Sequence, residues 1–320
     1  MWIALAVTLA AFGQKPDFAV VEKVAGAVGF YTAGGKRVGG AKVGTHPHEI
    51  VLSPDRKLAY VSDNGILWMQ YAGEGGNTIS ILAVASRKKT GEIDLGNYRR
   101  PHGLDIHPKT GRMVSTIENP PGLLLIDPVA RKVLRKYDTQ GKAPHMALFD
   151  PDGETVYVSN TGTNTVAVLN LESGGVKLID VEKNPQGGTF SRDGKLLFLT
   201  SSDGDAINII DRARKERIGT IRTGRGPARV HVAPDNKTLI YNLQPGEAMA
   251  FADIASRKET TVIKLAGKPL SLTMAKDASR VYLGLQEVDK IVTVSVKDRK
   301  LIDSFETPKG AGPDVVLPLP

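Results

Sequence analysis

Three Pro-His pairs stand in the first half of the chain, and the residues after the prolines, His48, His102 and His145, are of the type that takes and returns a proton near neutral pH. A second β-rich segment follows each pair and ends on Asp63, Glu118 or Asn160. A carboxylate beside an imidazole fixes its tautomer and raises its proton affinity, which suits general acid-base work. Three neutral imidazoles with a carboxylate would equally suit zinc or copper, if they converge. His48, His102, His145 and Glu118 are therefore the candidate catalytic set. The same three histidines are the candidate ligands of a divalent metal.

Such residues can meet only if the chain returns to the same place several times. The stretches "PHEIVLSPDRKLAYVSD" from Pro47, "PHGLDIHPKTGRMVSTIE" from Pro101 and "PHMALFDPDGETVYVSN" from Pro144 are copies of one unit. Weaker copies begin at Pro185, Pro227 and Pro269, and a seventh start stands at Pro313. The residues after these prolines are His48, His102, His145, Gln186, Ala228, Leu270 and Asp314, spaced 41 to 44 residues apart apart from a first interval of 54. A period in the low forties made of β pattern predicts the blades of a propeller. The unit from Pro144 divides into "MALF", "TVYVSN", "TVAVLNL" and "VKLIDV", four short strands separated by Asp, Gly and Asn turns. The expected fold is an all-β, seven-bladed β-propeller with four antiparallel strands, A to D from the inside out, in each blade. Its split blade would be closed by both ends of the chain, "FAVVEK" near the N-terminus pairing with "DVVLPL" at the C-terminus.

The strings "YVSD" (60–63) and "YVSN" (157–160), each after a proline-containing turn, resemble the YVTN family of bacterial β-propeller repeats. The resemblance covers nearly the whole chain. It implies a seven-bladed ring related to lactonase-like and lyase-like propellers, a fold that hosts enzymes and binding modules alike.

In such a ring the start of strand A, the end of strand B and the B-C loop share one face, so the marker residues surround the channel mouth. Asp314, His48, His102 and His145 fall in consecutive blades, followed by Gln186, while Ala228 and Leu270 lie opposite. The B-strand ends repeat the asymmetry, running Glu22, Asp63, Glu118, Asn160, Ser201 and then Leu243 and Leu285. An Asp or Asn at a strand end commonly bonds its own turn; the coincidence of two repeat positions marks the sector as a site. His46 and Glu49 are expected to be bystanders, Glu49 because alternation along a strand would turn it from the axis. His107 falls at a turn and His231 within a strand, where packing is the expected role.

Two further features belong to the same face. Arg100, Lys142, Lys183, Arg225, Lys268 and Lys309 precede strand A in six of the seven blades, and Arg229 stands just inside blade five, which together read as a basic crown that would favour an anion. The long first interval adds ten residues to the B-C loop of blade one and contains Trp68, Met69 and Tyr71. Apolar residues in an exposed loop point to packing or to binding. The candidate ligand-binding set is Asp63, Asn160, Gln186, Asp314, Arg100, Arg225, Arg229, Trp68 and Tyr71.

Composition narrows the functional classes. With no cysteine, disulfides, thiolate metal ligands and a cysteine nucleophile are excluded. The net charge of +8 favours anionic partners, but stacking aromatics are too sparse for a nucleic-acid surface. No Walker loop, HExxH, GxSxG or EF-hand motif is present. The apolar run Trp2–Phe12 before Gln14 reads as a signal peptide over residues 1–13, with the propeller over 14–320. The expectation is a periplasmic or secreted monomer without a membrane span that binds an anionic small molecule or a cell-envelope protein at the His-rich mouth. The alternative is a lactonase-like or lyase-like enzyme using the same residues.

Overall fold

The computed structural model describes residues 14–320, so the expected signal peptide at 1–13 lies outside the described residues. Those residues form seven four-stranded antiparallel sheets, with a single turn of 3-10 helix at Gln286–Val288. None of the described helices is long and apolar enough to cross a membrane. In blade seven Phe18–Glu22 pairs on one side with Ala27–Tyr31 and on the other with Pro313–Pro318, so the two ends of the chain close the ring in one sheet.

Burial explains why this repeat makes blades. The middle strands are buried on both faces: Thr155–Asn160 of blade three, and the apolar part of its neighbour Thr165–Asn170, have no solvent side. The outer strands alternate or are exposed, as in Lys88–Asp94 and Lys258–Lys264. Each apolar cluster spans two neighbouring blades. Phe18, Val20, Tyr31, Tyr282 and Ile291 join blades six and seven, and Val21, Phe30, Val61 and Leu82 join blades seven and one. A blade cannot bury its faces alone, and closing the ring supplies the missing neighbour.

A bulge recurs at the start of strand A. In blade one Pro47 faces Asp63 and Ile50 faces Val61, leaving one extra residue on the inner strand. The same shift occurs in blades two to five and in blade seven. An extra residue breaks the alternation of the strand, so two consecutive side chains in one blade can face the channel. Glu49, expected to turn away, therefore lines the channel together with His48.

A polar side chain near the end of strand B secures several bulges to the next blade. Ser62 Oγ accepts from Glu49 N and donates to His102 O at 2.8 Å. Thr116 Oγ1 accepts from Gly103 N and donates to His145 O at 2.7 Å. Thr200 bonds Ala228 O, and Asn242 bonds Pro269 O, in the same way. At the corresponding place in blade six a Cβ on Gly284 would stand 2.3 Å from Asp314 O, so glycine lets the closing strand approach.

Candidate functional site

The mouth of the channel opens into a cavity of about 560 Å³ lined by His48, His102 and His145 with Gln186, Arg229 and Asp314. The bulges place the three imidazoles there, and the clamps from Ser62 and Thr116 hold the backbones of His102 and His145. The rings stack edge to face, with centroids 4.3 Å apart for His48 and His102 and 4.2 Å for His102 and His145. All three are buried.

Their hydrogen bonds distinguish them. His48 Nε2 lies 2.9 Å from the carbonyl of Ile66, which only accepts, so this nitrogen carries a proton. His48 Nδ1 and His102 Nε2 are 3.1 Å apart, and His102 Nδ1 is 3.1 Å from Glu118 Oε1. Each of those contacts needs one proton between its partners. The array therefore holds one proton more than two neutral imidazoles and a carboxylate would. Burial lowers the proton affinity of both imidazoles and raises that of the Glu118 carboxyl. Arg100 Nε, 2.9 Å from Glu118 Oε2, pulls the other way on that carboxyl, and the three contacts line up as one chain from Glu118 through His102 and His48 to the Ile66 carbonyl. His145 stands outside this chain. Its Nδ1 is buried without a partner, and burial keeps the ring neutral.

This bonding does not fit a metal. The facing nitrogens of His48 and His102 are turned to one another and so cannot share a common centre. Among the described residues no group of three or more His, Cys, Asp or Glu is arranged to hold an ion. The expected metal set is thus an imidazole array with one free member.

The remaining candidates divide between the cavity and the framework. Trp68 and Tyr71 line the cavity from the long loop of blade one, as does Met69. Arg100 is spent on that loop, donating to Met69 O at 2.8 Å and lying 2.9 Å from Glu118 Oε2. Asp63 does not back the histidines. Its carboxylate accepts from Gly44 N, Thr78 and Ser80 and secures its own hairpin. Asn160 likewise bonds Thr139 O and Thr165. Glu118 differs because Pro101 pairs with Ile117, so Glu118 falls one residue beyond the position held by Asp63 and Asn160 and turns to His102. Arg225 is exposed and does not line the cavity. His46 approaches only Lys23 O at 3.4 Å, and His107 and His231 bond locally or to a backbone carbonyl.

Lys23 was not among the expected residues. It is 3 % exposed, lies 3.2 Å from Asp314 Oδ2 and sits 5.3 Å from the Trp68 ring centroid. It is the residue after the B-strand end in blade seven, the same phase as Glu118, and that shared phase was the available signal. Arg229 reaches across the channel to Glu49 at 2.6 Å, and Lys268 meets Glu287 at 2.8 Å. Every lysine or arginine lining the cavity is thus paired with a carboxylate, and Asp203 adds a further acid. The basic crown expected at the mouth does not make the cavity cationic.

Comparisons with known proteins follow this geometry. The family described as "Lactonase, 7-bladed beta-propeller" matches residues 138–317, a segment that includes His145. No curated protein sequence matches the chain. Among solved structures, a functionally unknown protein from Desulfotomaculum acetoxidans DSM 771 superposes with a TM-score of 0.76 at 12% identity, covering 95% of this chain and 99% of that one. The periplasmic gluconolactonase PpgL of Pseudomonas aeruginosa gives 0.73 at 13% identity, covering 95% and 99%. Dihydro-heme d1 dehydrogenase NirN gives 0.68 at 15% identity, covering 95% and 67%. At these identities the structures show a shared fold.

Proposed function

This chain belongs to the lactonase family of seven-bladed β-propellers, and from that premise we propose that its mouth cavity hydrolyses a neutral, polyhydroxylated lactone, with His145 as the proton acceptor. The observation that carries the reading is a neutral imidazole, His145, that lines the cavity outside the hydrogen-bonded array, in a cavity whose cations are all paired. A paired cation offers little to a carboxylate or phosphate on a ligand. Amides at Asn184, Gln186 and Gln244 suit hydroxyl groups, and the faces of Trp68 and Tyr71 suit an apolar ring face. The similarity to a protein named as a gluconolactonase agrees with that substrate class.

The chemistry needs a base and a place for charge. Water adds to the ring carbonyl carbon while His145 takes its proton. The ring C–O bond then breaks, and the departing oxygen receives the proton back from the imidazolium, leaving a hydroxy acid. Asp314 offsets the charge of Lys23 but takes only one of its three N–H donors, so the buried ammonium can still donate a hydrogen bond to the developing oxyanion. The array of Glu118, His102 and His48 fixes the wall beside His145 and ties it to Ile66 at the base of the covering loop.

The reading is tested by acid release from glucono-δ-lactone beside the phosphorylated form of the same lactone. The neutral substrate should be opened well above its spontaneous rate and in preference to the phosphorylated one. No acceleration with either sinks the enzyme reading; preference for the phosphorylated form sinks the assignment of a neutral substrate.

A further inference from the structure

The Glu49–Arg229 pair divides the channel. Both residues line the mouth cavity, and both also line a second chamber of about 210 Å³ on its other side. This chamber exists because the inner strand of blade four gives it no side chains at Gly187 and Gly188. A Cβ on Gly187 would stand 2.9 Å from Arg229 Cδ, and one on Gly188 would stand 3.0 Å from Phe198 O. The space left by these glycines extends outward to Leu199 of blade four and Tyr157 of blade three.

The wall is mainly apolar, with Leu104, Leu148, Leu199 and Leu272 among its residues, and its charge is unbalanced. Asp105 faces the chamber. Its oxygens accept only from backbone, Oδ2 from Phe149 N at 2.7 Å and Oδ1 from Ile106 N at 2.8 Å, and it makes no ion pair among the described residues. The one Lys or Arg on the wall, Arg229, is already bonded to Glu49. His231 lies across from Asp105 and donates Nε2–H to Leu272 O at 3.0 Å, and burial keeps it neutral. A carboxyl left without a counter-charge in an apolar chamber is costly, and a cation delivered with its own apolar body would remove that cost.

We propose that the inner chamber is a second binding site, separate from the mouth, that takes a small primary amine in its ammonium form, with the ammonium on Asp105 and an apolar body against Leu104, Leu148 and Leu199. The volume limits the ligand to about the size of one substituted ring. Nothing in this inference depends on lactone hydrolysis at the mouth.

The test uses the full-length protein with benzylamine and benzyl alcohol, two molecules of nearly one shape that differ in charge, followed by calorimetry at neutral pH. Benzylamine should bind at least about tenfold more tightly than benzyl alcohol, the scale of a charge-assisted hydrogen bond. Asp105→Asn should remove that preference, and Leu199→Phe should block both molecules by filling the chamber. His145→Ala should leave amine binding unchanged. Equal affinity for the two probes, no binding of benzylamine, or amine binding that survives Asp105→Asn overturns the proposal. If Asp105→Asn does not fold, the comparison of the two probes on the unaltered protein decides by itself.

Discussion

Blades one to three and blades four to six are built on the same repeat, with the inner-strand bulge in all but blade six, yet they differ in what they present to the channel. The first group gives His48, His102 and His145 to the mouth, whereas the second gives Gln186, Ala228 and Leu270. The clamps beneath them hardly differ. Thr116 donates to His145 O while accepting from Gly103 N, and Thr200 offers its one proton to Ala228 O or to Gly187 O of its own blade, both at 2.9 Å. Framework and site are therefore carried by different positions of the repeat. The framework must be uniform because every blade needs a neighbour; the site can be confined to one sector because only the first residues of strand A and the loops beyond strand B reach it.

The largest expected effect removes the basis of the comparison. Deleting Gly312–Pro320 takes away the inner strand of blade seven, together with Val315, Val316 and Leu319 of two interblade clusters. Both sectors should then lose cooperative unfolding, measured by thermal denaturation followed by circular dichroism. An unchanged transition would mean that the ring does not depend on this closure.

A smaller effect separates framework from site. Thr116→Val and Thr200→Val each remove a buried hydroxyl bonded to a backbone carbonyl of the next blade, and each should cost about 1–3 kcal/mol in urea unfolding. The two losses should be similar. Only Thr116→Val should also lower lactone turnover, because only it releases the backbone of His145. Similar turnover losses in both variants would show that the two sectors are not separable.

The third effect sharpens the contrast through pH. Burial raises the Asp105 carboxyl from 3.8 to about 6. The folded state then holds this proton more tightly than the unfolded state, so the resulting stabilisation is complete below about pH 4 and is lost as pH rises through about 6. A shift of that size corresponds to about 3 kcal/mol. Asp105→Asn should flatten this part of the stability curve, although buried Glu49 and Asp63 are raised in the same direction and keep their own share. Parallel curves for the two proteins would show that Asp105 titrates normally.

Much of the fold was legible because interblade burial imposes a period that survives divergence, and the prolines at 47, 101, 144, 185, 227 and 269 preserve its phase. The gathering of His48, His102 and His145 followed from that phase alone. Charge pairing across the channel was not legible, since Glu49 and Arg229 are 180 residues apart and meet only when blades one and five face each other. The bulge was hidden as well. It adds a residue to the inner strand without changing the hydrophobic pattern that alternation is read from, so Glu49 was assigned to the wrong side. A one-residue difference in pairing also concealed why Glu118, unlike Asp63 and Asn160, reaches an imidazole. The basic loops were visible in the sequence, but the carboxylates that neutralise Lys23, Arg229 and Lys268 come from other blades or other strands.

The central claim, that one free imidazole in the polar sector is the base, is tested most directly by steady-state hydrolysis of glucono-δ-lactone with His145→Ala and, as the opposite-sector control, His231→Ala. Loss of a general base should reduce kcat by about a hundredfold or more in His145→Ala, with circular dichroism unchanged. His231 bonds only the carbonyl of Leu272 and lies beyond the Glu49–Arg229 pair, so its variant should keep kcat within about twofold when compared as a folded protein. Because burial lowers the proton affinity of His145 below that of a free imidazole, the unaltered protein should lose activity only as the pH falls below about 6.5. A His145→Ala protein that hydrolyses the lactone at the unaltered rate would contradict the account.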